Sequence, residues 1–221
     1  QPKFSVIHFF TAVELLLKAR LLAEHWSLVV SKGQLPDLKK FQAGDFSSVS
    51  LEEAAEKLEK VVASGISKRE LETFKKLRDH RNKMVHFFHE AHSVEQNRRL
   101  REAIATEELT AWYFLYRLLL SQWKDVFNPW RVAITQLNER LRKLQEYLEV
   151  IFEQLTGEIE QRKERGVLFV ECPSCGFDAY EHPAPLGQFY EPECLVCGFT
   201  DGSVIRIDCP DCGSPVFFVG E

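Results

Sequence analysis

Residues 67–86 read Ser-Lys-Arg-Glu-Leu-Glu-Thr-Phe-Lys-Lys-Leu-Arg-Asp-His-Arg-Asn-Lys-Met-Val-His. Ser67 followed three positions later by Glu70 is a capping box, in which each side chain satisfies a backbone N–H left unpaired by the first helical turn. The helix opened there runs into Arg81-Asn82-Lys83-Met84-Val85-His86. The same signature precedes it at Ser50/Glu53, opening a helix through about Val62, with Ser64-Gly65 as the break. It recurs at Ser93/Gln96, opening a long helix to about Val126 that carries Trp112, Tyr113, Phe114, Tyr116 and Trp123. Upstream, Ile7, Phe10, Val13, Leu16, Leu17, Ala19, Leu21 and Leu22 lay down an apolar face at helical spacing, ended by Gly33 and Pro36. Successive caps of this kind predict a mainly α chain that begins as an up-and-down helical bundle over residues 1–127. The aromatic stripe reads as core or dimer interface rather than as a stacking platform.

Asn128-Pro129 pairs a capping residue with a first-turn proline. After it Ile134, Leu137, Leu141, Leu144, Leu148, Ile151, Leu155 and Ile159 recur at three- and four-residue intervals. The spacing predicts one long heptad-patterned helix over 128–165. Two uses stay open, a coiled-coil or spacer helix and a last helix folded back on the bundle.

All six cysteines follow in residues 166–221, as Cys172-Pro-Ser-Cys175-Gly, Cys194-Leu-Val-Cys197-Gly and Cys209-Pro-Asp-Cys212-Gly. A Cys-x-x-Cys-Gly knuckle points two thiolates at one tetrahedral ion, and its glycine lets the backbone swing away. Three repeated knuckles favour structural zinc over disulfides. Cys172, Cys175, Cys194 and Cys197 form the expected site. Cys209 and Cys212 are left as two ligands of a second, or as substitutes that join Cys194 and Cys197. His182 and a partner chain are candidate further ligands. A four-thiolate shell has no open position for substrate, so the metal is expected to be structural. The runs Gly166–Val170, Val204–Ile207 and Val216–Val219 suit strands of a small zinc ribbon.

Charge is divided along the chain. Residues 166–221 hold one basic residue, Arg206, against nine acidic ones, a net of −8 within a total of −5. Residues 68–101 hold ten Lys or Arg against five Asp or Glu. A polyanion is therefore expected to meet the helical part and avoid the tail, whose acidity suits docking of a protein. It also argues against a nucleic-acid-binding ribbon of transcription or translation machinery. The longest strongly apolar stretch, Leu109–Trp123, is interrupted by Arg117 and too short to span a bilayer. No basic-then-apolar leader stands at Gln1. A cytoplasmic location is the expectation.

Within the basic region, Arg81 and His86 are the candidate catalytic pair. Histidine titrates near neutral pH and moves protons at a ribose hydroxyl, while arginine's charged fork matches phosphate oxygens. The plain alternative is a solvated arginine and an ordinary helical histidine. His80, His86, His89 and His92 cluster here, yet the last three spread too widely around a helix to share a metal well. Arg81-Asn82-(Lys-Met-Val)-His86, with the opening helix around Val13-Glu14-Leu15-Leu16-Leu17-Lys18-Ala19, resembles the HEPN family (higher eukaryotes and prokaryotes nucleotide-binding) across roughly residues 1–126. The three knuckles are not part of that family's pattern. The resemblance implies a dimeric helical bundle with two Arg/His motifs facing one cleft. It also implies RNA as substrate and metal-independent cleavage by 2′-hydroxyl attack, with His86 as general acid or base, Arg81 as phosphate clamp and Asn82 orienting them. A toxin or phage-defence effector with an antitoxin or sensor partner fits that family. A non-catalytic dimeric adaptor, docking a protein through the ribbon, is the competing expectation.

Overall fold

Eighteen or more consecutive helical residues need either a long apolar stripe to bury or strong caps, and this chain has both. The computed structural model describes the backbone at residues 2–86, 94–182, 189–200 and 202–219, and side chains there except at 2, 3, 86 and 219. Helices come first: α1 (Pro2–Glu24), α2 (Leu38–Ala43), α3 (Leu51–Lys60), α4 (Lys68–His86) and α5 (Val94–Arg117). They continue as α6 (Lys124–Phe127), α7 (Arg131–Leu141) and α8 (Gln145–Glu164). Strands β1 (Leu168–Glu171), β2 (Asp178–His182), β3 (Phe189–Tyr190), β4 (Glu193–Cys194), β5 (Val204–Asp208) and β6 (Pro215–Val219) follow. The chain divides into two units, Gln1–Glu139 and Arg140–Glu221. Among the described residues no helix is long and apolar enough to cross a membrane.

In the first unit, Val6, Phe10, Val13, Leu17 and Leu21 form a buried stripe on α1. That helix packs on α3, α4 and α5, and α4 also packs on α5. Leu58, Phe74, Leu77 and Leu115 are fully buried in this core, each worth about 1.5–3 kcal/mol of burial. Both described capping boxes form. Ser50 N donates to Glu53 Oε2 at 2.9 Å and Glu53 N to Ser50 Oγ at 3.2 Å. Ser67 N donates to Glu70 Oε2 at 2.6 Å and Glu70 N to Ser67 Oγ at 3.3 Å. The third box, at Ser93, lies outside the described residues. Trp112, Tyr113 and Phe114 are buried within the single chain, so the aromatic stripe is core. The aromatic helix is less regular than its sequence suggests: Leu118–Gln122 is a π turn, with Trp123 N donating to Leu118 O at 2.7 Å.

The segment 128–165 departs from the expectation of one long helix. Asn128–Trp130 is a 3₁₀ turn, and α7 and α8 are separate helices with Leu144 extended (φ −93°, ψ 125°) between them. Their attachments differ, which is the physical reason for the break. The α7 residue Asn138 is buried and accepts a hydrogen bond from Trp112 Nε1 of α5 at 3.1 Å. On α8, Arg162 reaches Glu181 of β2 at 2.7 Å, Lys163 reaches Asp178 at 2.8 Å, and Phe152 stacks on Phe177 at 4.9 Å. The seam residues are also unequal, with Leu137 and Leu144 exposed and Leu148, Ile151 and Ile159 buried.

The second unit follows α8 with two antiparallel sheets, ordered β1-β2-β4 and β3-β5-β6. The first pairs Leu168 with His182 and Tyr180 with Cys194, with a bulge at Val170/Glu171. The second pairs Ile205 with Phe218 and Asp208 with Pro215. Each of the three predicted apolar runs contributes a strand.

Candidate functional site

The first two knuckles are built alike. Cys172 N donates to Phe177 O at 2.9 Å and Gly176 N to Cys172 O at 2.8 Å. Cys194 N donates to Phe199 O at 2.9 Å and Gly198 N to Cys194 O at 2.8 Å. Gly176 and Gly198 sit at φ +74° and +75°, a conformation that a side chain strains. Strands β2 and β4 hydrogen-bond side by side and bring the knuckles face to face. The Sγ atoms of Cys172, Cys175, Cys194 and Cys197 then lie within 4.8 Å of one another. Cys172 to Cys197 and Cys175 to Cys194 are each 3.6 Å. A tetrahedron of sulfurs about 2.3 Å from zinc has edges of about 3.8 Å. The four thiols match it.

Their electrostatics also call for a cation. Burial pushes the Cys175 thiol up to about 11 and raises Cys194 further. At Cys172 burial acts the same way but loses to the backbone N–H groups of Cys175 and Ser174, which hold it below its usual value. Four crowded thiols, two buried and two partly so, ionise together only when a positive ion balances them, and a zinc-like ion is the fitting one.

His182 and the third knuckle stand apart from this cluster. His182 is buried where the two sheets meet, with Nδ1 2.5 Å from Tyr190 Oη and its ring 4.2 Å from that of Phe217. Burial, then the nearby Arg206 charge, lowers its pKa, and its ring nitrogens are not among the ligand atoms that cluster with the four thiols. Cys209 and Cys212 cap the β5–β6 hairpin, Cys212 exposed. Their presence in the first site, as substitutes for Cys172 and Cys175, is set aside by the four-thiol cluster.

The second candidate lies on α4. Arg81 Nη1 donates to Asn82 Oδ1 at 2.8 Å, and Nη2 lies 3.7 Å from Glu14 Oε2 of α1. Its guanidinium also rests 5.5 Å from the Phe10 ring centre, with the side chain 32% exposed. Behind it, Met84 packs with Val6 and Ile104 and fixes the end of α4 against α1 and α5. His86 closes the helix; its side chain, like His89 and His92, lies outside the described residues. Two acidic groups escaped the sequence reading. Glu14 engages Arg81, and Glu107 on α5 reaches His80 Nε2 at 2.7 Å. The signal for Glu14 was its place within the α1 motif quoted above, but nothing in the sequence says which helix meets Arg81. Part of the basic charge is neutralised locally: Arg78 pairs with Glu52 and Asp79, Lys75 with Glu72, Arg98 with Glu95 and Glu102, and Arg99 with Glu95. Lys76, Lys83 and Arg101 face solvent.

Comparison of the chain with protein-family models, with curated proteins and with solved structures finds no match. The resemblance to HEPN domains rests on Arg81–His86 and the opening helix alone.

Proposed function

We propose that the chain is a metal-independent endoribonuclease whose catalytic groups are Arg81 and His86, with Asn82 as orienting residue. The observation that supports this reading is the setting of Arg81: about one-third exposed, propped on Phe10, and aimed by Asn82 and Glu14 on the helix that ends at His86. Five residues of α-helix rotate two side chains by about 140°. A single helix therefore does not converge them on one phosphate, and two copies of the bundle facing each other would. In that arrangement His86 accepts the proton of a ribose 2′-hydroxyl. The oxygen attacks the adjacent phosphorus, the bond to the 5′ oxygen breaks, and that oxygen takes up a proton. Arg81 stabilises the extra charge on the phosphorane. The products are a 2′,3′-cyclic phosphate and a 5′-hydroxyl. A cytoplasmic toxin or defence effector, restrained by an antitoxin or sensor protein, is the biological role consistent with this chemistry. The zinc-like site belongs to the architecture and takes no part in cleavage.

The adaptor reading draws on a different aspect of the same residue. The Arg81 charge is already met by Glu14 and its fork by Asn82, as a purely structural arginine would be. Cleavage of single-stranded RNA in EDTA decides between them. The nuclease loses roughly 10² to 10⁴ in rate on His86→Ala, with a comparable loss on Arg81→Ala, and leaves cyclic-phosphate ends. Parent protein that leaves RNA intact, or variants that cut as fast as the parent, would establish the adaptor instead.

A further inference from the structure

The third knuckle repeats the geometry of the two that build the four-thiol site. Cys209 N donates to Ser214 O at 2.9 Å and Gly213 N to Cys209 O at 2.8 Å, with Gly213 at φ +71°. These bonds and this glycine conformation are those of Cys172–Gly176 and Cys194–Gly198, to within 0.1 Å and a few degrees. A turn that only joined β5 to β6 would need neither thiol. This one leaves Cys212 exposed and Cys209 partly so, and among the described residues no further Cys, His, Asp or Glu completes a cluster with them.

The sheet beneath the knuckle is unpartnered on one face. Pairing of β3 with β5 and of β5 with β6 sets Phe189, Ile205 and Phe218 in one row and Ile207 and Val216 in the next. Phe189 is 66% exposed and Phe218 51% exposed, with Ile207 and Val216 also open to solvent. The opposite face is covered: Val204 is buried, and Tyr190 and Phe217 meet His182. A half-site of two thiolates therefore adjoins an uncovered apolar patch.

We infer that Cys209 and Cys212 bind a second zinc-like ion shared with the same two cysteines of a second copy of this chain, docked through the β3–β5–β6 face. A two-fold axis through the ion supplies two more thiolates of the same kind, which completes the tetrahedron that one copy leaves half-built. The metal–sulfur bonds make the association metal-dependent. Both tails are acidic, Asp208 precedes the knuckle and Asp211 lies within it, and four thiolates around one divalent ion keep a net charge of −2, so without those bonds the two copies repel. No RNA chemistry enters this inference, so it stands or falls apart from the nuclease reading.

The test counts zinc per chain in the full-length protein, purified reduced, by elemental analysis beside native mass spectrometry. The parent should hold about 1.5 ions per chain, one in each four-thiol site and one shared. Cys209→Ser/Cys212→Ser should hold about 1.0, and Phe218→Glu, at an exposed position, should fall to the same value with every thiol present. Cobalt substitution should show the corresponding loss of one four-thiolate spectrum per two chains. A count of about 1.0 in the parent overturns the shared site, including when Cys209 and Cys212 prove to be a disulfide. A count of about 2.0 in a monomer overturns it in favour of a site closed within one chain. Phe218→Glu that keeps the parent's count overturns the sheet face as the dock. Because the readout is metal per chain, dimerisation through the helical bundle does not imitate the result.

Discussion

Arg81 is held by three different forces, and none is strong alone. An ion pair at 3.7 Å, partly exposed, contributes up to about 1 kcal/mol, and the stack on Phe10 a similar amount. Together with the hydrogen bond that Arg81 donates to Asn82 Oδ1 they restrict the guanidinium to one orientation, which is what a phosphate clamp requires. Nearby, Glu108 on α5 shows the opposite balance. Burial raises its carboxyl above the usual value, against the Ser5 hydroxyl that donates to it at 2.8 Å and the charge of His80. A folded-state pKa above the unfolded one means the fold favours the protonated acid. That contribution is complete below the ordinary carboxylate pKa and is lost as pH rises through the raised value. At pH 7 the ionised group is therefore a cost. Glu108→Gln, which keeps an acceptor for Ser5, should melt slightly higher than the parent at pH 7, by about a few tenths of a kcal/mol once solvent screening is counted. The difference should close near pH 4. Thermal melts at both values check it, and a variant less stable than the parent at pH 7 would show that the ionised carboxylate holds the bundle together.

Elements in this chain begin where side chains can satisfy their ends. At α3, Glu53 accepts from Ser50 N, Ser31 Oγ and Lys32 N, so one carboxylate joins the helix start to the loop after α1. Those backbone donors, Ser50 first and Lys32 next, hold its pKa below the usual carboxylate value. Ser50→Ala removes the reciprocal bond and should lower unfolding free energy by about 1 kcal/mol, measured by urea denaturation. An unchanged midpoint would mean Glu53 alone carries the cap. Such local codes were legible in the sequence. Ser50/Glu53 and Ser67/Glu70 placed two helix starts, and two of the repeated Cys-x-x-Cys-Gly units marked the four cysteines that the fold gathers into one cluster. What the sequence hid is tertiary. The break at residues 142–144 contains no proline or glycine, so the heptad pattern runs across it unmarked. The attachments of Asn138 to Trp112, and of Arg162 to Glu181, hold α7 and α8 to different partners on either side of it. The strand β2 was missed for a similar reason. Its residues Asp178-Ala-Tyr-Glu-His182 are buried at Ala179, Tyr180 and His182 but carry too many polar groups to read as an apolar run. Glu14 and Glu107 were invisible as partners because helix–helix adjacency is set by packing, not by spacing within one helix.

At the scale of the whole molecule the two units rest on different sources of stability. The first buries a continuous helical core, while the second has one helix and two small sheets, in which strands of two to five residues must be held by something more. Structural zinc supplies about 10–16 kcal/mol of apparent binding free energy in small metal-organised domains, as much as the whole stability of an ordinary domain. Its loss should unfold the sheets of residues 166–219 without touching the bundle. The chain carries its own reporter for this, since all four tryptophans, Trp26, Trp112, Trp123 and Trp130, lie in the first unit. Stripping the metal with a strong chelator, or Cys172→Ser, should therefore leave tryptophan emission and most of the helical circular dichroism unchanged. Limited proteolysis should meanwhile cut freely after Gly166, and reloading with zinc should restore protection. A red shift of tryptophan emission in step with metal loss would mean that the bundle depends on the metal too, and that the two units fold as one.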